Sequence, residues 1–139
     1  MSRVMSLRFK DSQVERLTRL ARRLGRTPTE TASLLVEEAL RVSEYASITF
    51  RDSAVGRQAS LLGTRLAVWH VVMIVRSYEG DVTRTAEHLE IPVVQVEAAL
   101  QYAVDFPHEI EAALADNAAY DEAALRRALP TMQVFSAVP

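Results

Sequence analysis

The stretch Arg3-Val4-Met5-Ser6-Leu7-Arg8-Phe9-Lys10 places a large apolar residue at every second position from Met5 to Phe9. In a β-strand, alternate side chains lie on opposite faces, so Met5, Leu7 and Phe9 would share one face. The other face would carry Val4, Ser6, Arg8 and Lys10. Because no neighbouring segment offers a hairpin partner, the strand would need a second copy of the chain to satisfy its backbone groups. We therefore predict a two-stranded ribbon in an intertwined homodimer, with Met5, Leu7 and Phe9 as its core.

Two amphipathic helices are predicted to follow this strand. In the first, apolar residues recur at steps of three and four after a cap at Asp11 or Ser12, and Gly25 suits the left-handed residue that ends a helix. The second begins with Thr27-Pro28-Thr29-Glu30, which combines a Thr cap, Pro at the first helical position and Glu three residues after the cap. Residues 1–45 thus have the order β-α-α.

This order, with its Gly-Arg-Thr turn, resembles the ribbon-helix-helix repressors, a class common among antitoxins. The resemblance is carried by Ser6-Leu7-Arg8-Phe9, Val14-Glu15-Arg16-Leu17, Leu24-Gly25-Arg26-Thr27 and Glu38-Ala39-Leu40-Arg41. It implies that the outward strand residues contact bases in the DNA major groove. Here those residues are Val4, Ser6 and Arg8. Val4 is apolar, so either it touches a thymine methyl group or the ribbon serves mainly to dimerise.

The same resemblance implies phosphate binding at the start of the second helix. The residues at the corresponding positions are Arg26, Thr27 and Thr29, and Lys10 at the end of the strand is a further candidate phosphate contact. The physical chemistry agrees, because free N–H groups and the positive end of the helix dipole favour an anion at a helix N-terminus.

The charge of the chain is divided unequally along its length. Residues 1–26 contain eight basic and two acidic residues, a net charge of +6, whereas residues 46–139 contain seven arginines and twelve carboxylates, a net charge of −5. A basic end and an acidic end favour two different partners. The alternative for the basic residues of the first helix, Arg16, Arg19, Arg22 and Arg23, is an ordinary solvated face.

A second unit is predicted over residues 46–110. The unit begins at Ile48-Thr49-Phe50-Arg51, and a short strand-like stretch at 58–62 precedes a strongly apolar helix at 67–78, which should form the centre of the unit. Two short helices, at 82–89 and 93–104, then flank the turn Glu90-Ile91-Pro92 as in a helix-turn-helix. Residues 93–110 contain no Lys or Arg, so we do not expect this last helix to contact DNA.

Residues 48–110 also resemble a small bacterial domain family found beside toxin genes. The resemblance is carried by Gly56-Arg57, by Gly63-Thr64-Arg65-Leu66, by residues 93–99, and by Leu100-Gln101-Tyr102 running on to Pro107-His108-Glu109-Ile110. It implies a helix-turn-helix-like antitoxin domain whose partner is a PIN-type ribonuclease toxin.

The C-terminal unit, residues 111–139, is predicted to contain the remainder of a helix at 109–128 and an apolar tail. Asp116-Asn117 is a candidate break in the helix. A tail without a partner in its own sequence can dock on another protein, or it can fold back over its own domain. The residues that we assign to toxin binding are Arg126, Arg127, Met132, Val134 and Phe135.

Composition limits the remaining possibilities. The chain has no cysteine and no apolar run of about 18 residues, so we expect a soluble cytoplasmic protein with no disulfide and no membrane partner. His70, His88 and His108 lack metal-ligand spacing, and no phosphate loop or nucleophile motif is present. Glu37 with Glu38 is expected to be a solvated helix face. We predict no catalytic residue, metal or cofactor, and therefore no enzyme.

Together these features predict a mainly α protein: a ribbon-helix-helix unit, a small helix-turn-helix-like domain with a short β element, and a C-terminal helix and tail. The predicted function is a type II antitoxin that binds operator DNA as a dimer, or a higher oligomer, and neutralises a PIN-type toxin. The alternative is a stand-alone ribbon-helix-helix transcriptional regulator with a C-terminal dimerisation or effector module. A third, weaker alternative is an assembly protein that never binds DNA.

Overall fold

The computed structural model describes residues 1–54 and 56–129, which form a mainly helical fold with one small sheet. In chain order the elements are α1 (Asp11–Leu24), α2 (Pro28–Glu44), β1 (Ile48–Ser53), β2 (Gly56–Leu61), α3 (Val68–Ser77), α4 (Val82–Leu89), α5 (Val93–Asp105) and α6 (Pro107–Ala128). Over this part of the chain, no helix combines the length and the apolar character needed to cross a membrane.

The predicted fold class is wrong at the N-terminus, because the first regular element is helix α1 and not a β-strand. Residues 1–10 have no regular secondary structure, and all ten are exposed. A strand requires a ladder of hydrogen bonds, and the two strands found among the described residues, β1 and β2, pair with each other. Among the described residues, no backbone hydrogen bond reaches residues 1–9. The β-α-α order and a ribbon core of Met5, Leu7 and Phe9 are therefore not features of this fold.

Helix α1 begins one residue after Lys10, whose N–H donates to the side-chain oxygen of Gln13 at 2.9 Å. The predicted cap at Asp11 or Ser12 is therefore wrong. Helix α1 already includes Asp11, whose carboxylate lies in the first turn, where the helix dipole favours negative charge.

The turn between α1 and α2 closes one helix and opens the next through local contacts. Gly25 has a φ of +66°, a left-handed conformation that glycine adopts without a steric penalty. The N–H of Arg26 donates to the carbonyl of Ala21 at 2.9 Å. The Thr27 hydroxyl accepts the N–H of Glu30 at 3.1 Å, and the Glu30 carboxylate accepts the N–H of Thr27 at 3.4 Å. This reciprocal capping box fixes the start of α2.

The sheet is a β-hairpin with Ile48 opposite Leu61 and Phe50 opposite Ala59. After β2, the Gly-Thr-Arg turn returns the chain to the core. Gly63 has a φ of +77°, and the Thr64 hydroxyl donates to the carbonyl of Leu61 at 2.8 Å while accepting the N–H of Leu66 at 3.0 Å. Glycine and threonine at these positions are therefore explained by the geometry of the turn.

The core lies under this hairpin and around α3. Its fully buried side chains come from β2, α3 and α5, and they include Leu61, Val68, Val71, Val96 and Tyr102. Helix α4 is capped by Asp81, and Glu90 ends it with a φ of +56° before Pro92 precedes α5. Helices α4 and α5 thus follow one another across a short turn, as predicted from the sequence.

Helix α6 is continuous across Asp116 and Asn117, so the helix break considered for this dipeptide does not occur. Its first half packs on the core through Ile110 and Leu114. From Ala118 to Ala128 every residue except Ala124 is exposed, and Tyr120 and Leu125 are 67% and 44% exposed. The outer half of α6 therefore has almost no packing within the described residues.

Candidate nucleic-acid interface

The predicted base-contacting residues lie in the irregular N-terminal segment. Val4, Ser6 and Arg8 are all exposed, Val4 almost completely, at 98%. The residues between them, Met5 and Leu7, are 83% and 65% exposed. The segment therefore presents apolar and basic side chains to solvent together, and the rest of the described chain covers neither.

The predicted phosphate-contacting residues lie at the two helix starts. Lys10 precedes α1, whereas Arg26, Thr27 and Thr29 surround the start of α2, and all four are exposed. The N–H of Thr29, at the second position of α2, has no acceptor within the described residues. The Glu30 carboxylate already occupies part of this positive end through its bond to Thr27. A phosphate would therefore depend on Arg26 and on the Thr29 N–H.

The basic residues of the N-terminal 26 residues are almost all available for an external anion. Among the described residues, only one of the eight forms an ion pair, Arg23 with Asp52 at 3.3 Å. The other seven have no carboxylate partner there: Arg3, Arg8, Lys10, Arg16, Arg19, Arg22 and Arg26. They form a strongly positive surface next to the apolar N-terminal segment.

The apolar stripe of the helical hairpin is also incompletely covered. Ala21 is the only buried apolar residue of residues 1–45. Val14 of α1 and Val36 and Leu40 of α2 are 48%, 53% and 50% exposed. We call the exposed apolar residues of this part of the chain the N-terminal apolar surface. They are Met1, Val4, Met5, Leu7, Phe9, Val14, Val36, Leu40 and Val42.

A buried ion pair fixes helix α2 against the β-hairpin. The carboxylate of Glu38, only 7% exposed, accepts Nη2 of Arg57 at 2.5 Å and Nε at 3.2 Å. Arg57 also donates to Asp52 at 3.0 Å, and Asp52 in turn pairs with Arg23. The bond to Glu38 raises the pKa of Arg57, and the bond from Arg57 lowers the pKa of Asp52. The chain of charges therefore connects α1, α2 and the hairpin.

The expectation that Glu37 and Glu38 form a solvated face is wrong for Glu38. A signal was present in the sequence, because Glu38 lies four residues after Leu34 and three after Leu35, on the apolar side of α2. The sequence around Glu38 does not show its partner, because the cation that pairs with it, Arg57, lies nineteen positions later on the hairpin.

A second polar cluster joins α2 to α5 and α6. Nη1 of Arg41 donates to the Tyr102 hydroxyl at 2.6 Å and to Glu109 at 2.8 Å, and its guanidinium lies 3.7 Å from the ring centroid of Phe106. The Tyr102 hydroxyl donates to Glu109 at 2.5 Å. Burial, together with this bond, raises the pKa of Tyr102 above its ordinary value. The sequence did not predict this cluster, since Arg41 lies more than 60 residues before its other members.

Tyr45, at the end of α2, makes a further contact with α5. Its hydroxyl donates to Asp105 at 2.6 Å, and this bond raises the pKa of Tyr45 to about 12. The pKa of Tyr45 in the folded protein is therefore above its ordinary value of 10.0. The hydrogen bond to Asp105 contributes fully to the stability of the fold below pH 10, and this contribution is lost as the pH rises through 12.

A cavity of about 310 Å³ lies between α2, the hairpin, α3 and α6. Its wall combines apolar side chains with charged groups from both polar clusters. The lining residues are Leu34, Glu37, Glu38, Arg41, Phe50, Arg57, Gln58, Ala59, Trp69, Glu109, Ile110, Ala112, Ala113 and Asp116.

Two of the five residues predicted to bind a toxin lie within the described part of the chain. Arg126 and Arg127 are exposed in the last turn of α6, where Arg126 pairs with Glu122 at 2.6 Å. Met132, Val134 and Phe135 lie outside the described residues.

Comparison with family models, with curated proteins and with solved structures found no match to this chain.

Proposed function

We propose that the protein is a homodimeric DNA-binding antitoxin of the cytoplasm, which represses its own promoter and holds a PIN-type ribonuclease toxin inactive. The observation that carries the proposal lies within residues 1–45: an apolar surface that no other described residue covers adjoins seven cations that have no ion-pair partner among the described residues. The apolar surface favours association with another protein surface. The cations favour binding of an anion of high charge density.

A second copy is the simplest partner for the N-terminal apolar surface. A helical hairpin with one buried apolar residue cannot offset the entropy of ordering its own chain. Burial of side chains such as Met5, Leu7 and Leu40 against the same side chains of a twin would supply part of the missing core. A twofold homodimer requires no other gene product, and it is the commonest soluble oligomer.

The electrostatics of a dimer favour DNA as the anion. Two copies would bring together two sets of residues 1–26, each with a net charge of +6. Neutralisation of phosphates by such a surface releases counterions and drives binding. The N-terminus of α2 offers the exposed Arg26 and the N–H of Thr29, which has no acceptor among the described residues, and both can bind a phosphate group.

The antitoxin role is supported by the rest of the chain. Residues 48–110 resemble an antitoxin domain family, and residues 46–139 have a net charge of −5, which complements a nuclease surface that binds RNA. The outer half of α6 presents Tyr120 and Leu125, which are exposed among the described residues, next to Arg126 and Arg127. An exposed helix of this kind can bind in a groove on a partner protein.

Co-expression with the neighbouring reading frame tests the antitoxin role. We expect a stable complex of both products that survives gel filtration, and we expect the neighbour alone to degrade RNA and to arrest growth. If the two products never associate, the antitoxin proposal fails. DNA binding by the chain alone would then favour the stand-alone transcriptional regulator.

Replacement of Arg8 and of Arg26 by alanine distinguishes base contact from phosphate contact. If Arg8 contacts a guanine, Arg8→Ala should weaken binding to promoter DNA by about 1–3 kcal/mol, with a smaller loss on unrelated DNA. Arg26→Ala should weaken binding to all DNA sequences alike. It should also reduce the slope of log K against log salt concentration by the amount that corresponds to about one phosphate contact. Fluorescence anisotropy with both DNAs at several salt concentrations provides the measurement.

Arg84→Ala is the matched control for these variants, because Arg84 is exposed on α4, outside the basic N-terminal region. It should leave both affinities unchanged. Unchanged DNA binding by both the Arg8 and the Arg26 variants would contradict the assigned contacts.

A further inference from the structure

We propose that the 310 Å³ cavity is a binding site for an organic cation, an ammonium or guanidinium group on an aliphatic stem. Four elements surround the cavity: α2, the hairpin, α3 and α6. Its volume falls at the lower end of the range for small-ligand sites, about 300–1,000 Å³, and suits a ligand of few atoms.

The charges around the cavity select a cation. Its wall contains four carboxylates and two guanidinium groups, a net charge of −2. Both guanidinium groups are already engaged, Arg57 with Glu38 and Asp52, and Arg41 with Glu37 and Glu109. An anion would therefore meet two occupied arginines and an excess of negative charge.

Asp116 supplies the carboxylate that remains available. Asp116 is exposed on α6, where it lines the cavity, and its side chain forms no ion pair and no hydrogen bond within residues 1–54 and 56–129. A bound cation would pair with this carboxylate without breaking a bond to another described side chain.

The remaining wall suits the stem of such a ligand. Phe50, Ala59 and Ile110 provide apolar contact, and Trp69 provides the aromatic ring that attracts cations most strongly. The indole N–H of Trp69 donates to the side-chain oxygen of Gln58 at 3.2 Å, which holds the ring in place. Apolar wall and excess carboxylate together match an alkyl chain that ends in a positive group.

Trp69 is the only tryptophan of the chain, so its fluorescence reports on the cavity directly. We expect n-butylguanidinium to change the Trp69 emission saturably, with a dissociation constant on the order of 1 mM for so small a ligand. The neutral isostere n-butylurea and the anion n-pentanoate should produce no saturable change. An equal response to either one would overturn the proposal.

Asp116→Asn should weaken n-butylguanidinium binding by about threefold to fivefold at low salt. The matched control is Asp121→Asn, an exposed carboxylate on the same helix but outside the cavity wall, which should leave the affinity unchanged. Equal affinities for the Asp116 variant and the unmodified protein would contradict the site.

A further titration identifies the source of the cation. N-acetyl-arginine amide carries the same group with the flanking amides of a protein chain. Binding as tight as that of n-butylguanidinium supports the site and assigns it to an arginine of a partner protein. Binding of n-butylguanidinium alone supports the site and assigns it to a free amine or guanidine. Binding of neither overturns the proposal.

Discussion

Arg57→Ala should lower the free energy of unfolding by about 3 kcal/mol, because it leaves the Glu38 carboxylate buried without its cation. Arg57 donates three hydrogen bonds to Glu38 at distances between 2.5 and 3.2 Å, and Glu38 is only 7% exposed. The loss would be measured by urea unfolding, followed by Trp69 fluorescence and by far-UV circular dichroism.

Arg76→Ala is the matched control for this loss, since Arg76 pairs with Glu111 on the surface and both side chains are 57% exposed. It should cost less than about 1 kcal/mol. The double variant Glu38→Met, Arg57→Met should recover most of the stability, because it removes both charges together. If Arg57→Ala costs no more than Arg76→Ala, the ion pair does not fix α2 against the hairpin.

Leu7→Asp should convert the protein to a monomer and weaken promoter binding by about 100-fold or more, because each monomer would retain only half of the basic surface. The change should hardly affect the folded monomer, since Leu7 is 65% exposed and makes no packed core contact there. Light scattering would measure the mass, and fluorescence anisotropy would measure the affinity for promoter DNA.

Leu62→Asp provides the comparison for this variant. Leu62 is 61% exposed, almost the same as Leu7, but it lies beside the hairpin and outside the N-terminal apolar surface. This variant should remain dimeric and bind DNA normally. If the Leu7→Asp variant is still a dimer and its affinity for promoter DNA is unchanged, the N-terminal apolar surface has no part in association.

Features specified by nearby residues could be predicted from the sequence. The capping box of Thr27 and Glu30 and the left-handed Gly25 lie where the sequence placed them, because each depends on contacts within a few residues. The helices at 82–89 and 93–104 were also found from periodicity and from the turn at Pro92. The ends of helices are local events, and local patterns are sufficient to find them.

Features that depend on distant partners could not be predicted. The alternation in residues 3–10 predicted a strand, but a strand needs a ladder, and the described part of the chain contains none for this segment. Glu38 appeared to be a surface residue because its cation, Arg57, lies on the hairpin. The cavity likewise depends on how α2, α3 and α6 pack, which periodicity alone does not fix.

For the proposed nucleic-acid interface, the sequence predicted the chemistry better than the geometry. The net charge of +6 over residues 1–26 is a property of composition, and exposure leaves seven of its cations available. The positions of Val4, Ser6 and Arg8 relative to one another were inferred from the strand, which the fold does not contain. Their assignment to individual bases therefore depends on the Arg8→Ala experiment.

The mass of the unmodified chain in solution is the most direct test of whether residues 1–45 associate with a second copy. Multi-angle light scattering at micromolar concentration should give twice the 15.5 kDa mass of one chain. A mass of 15.5 kDa at that concentration would mean that no twin covers these exposed side chains, and it would contradict the dimeric DNA-binding protein proposed here.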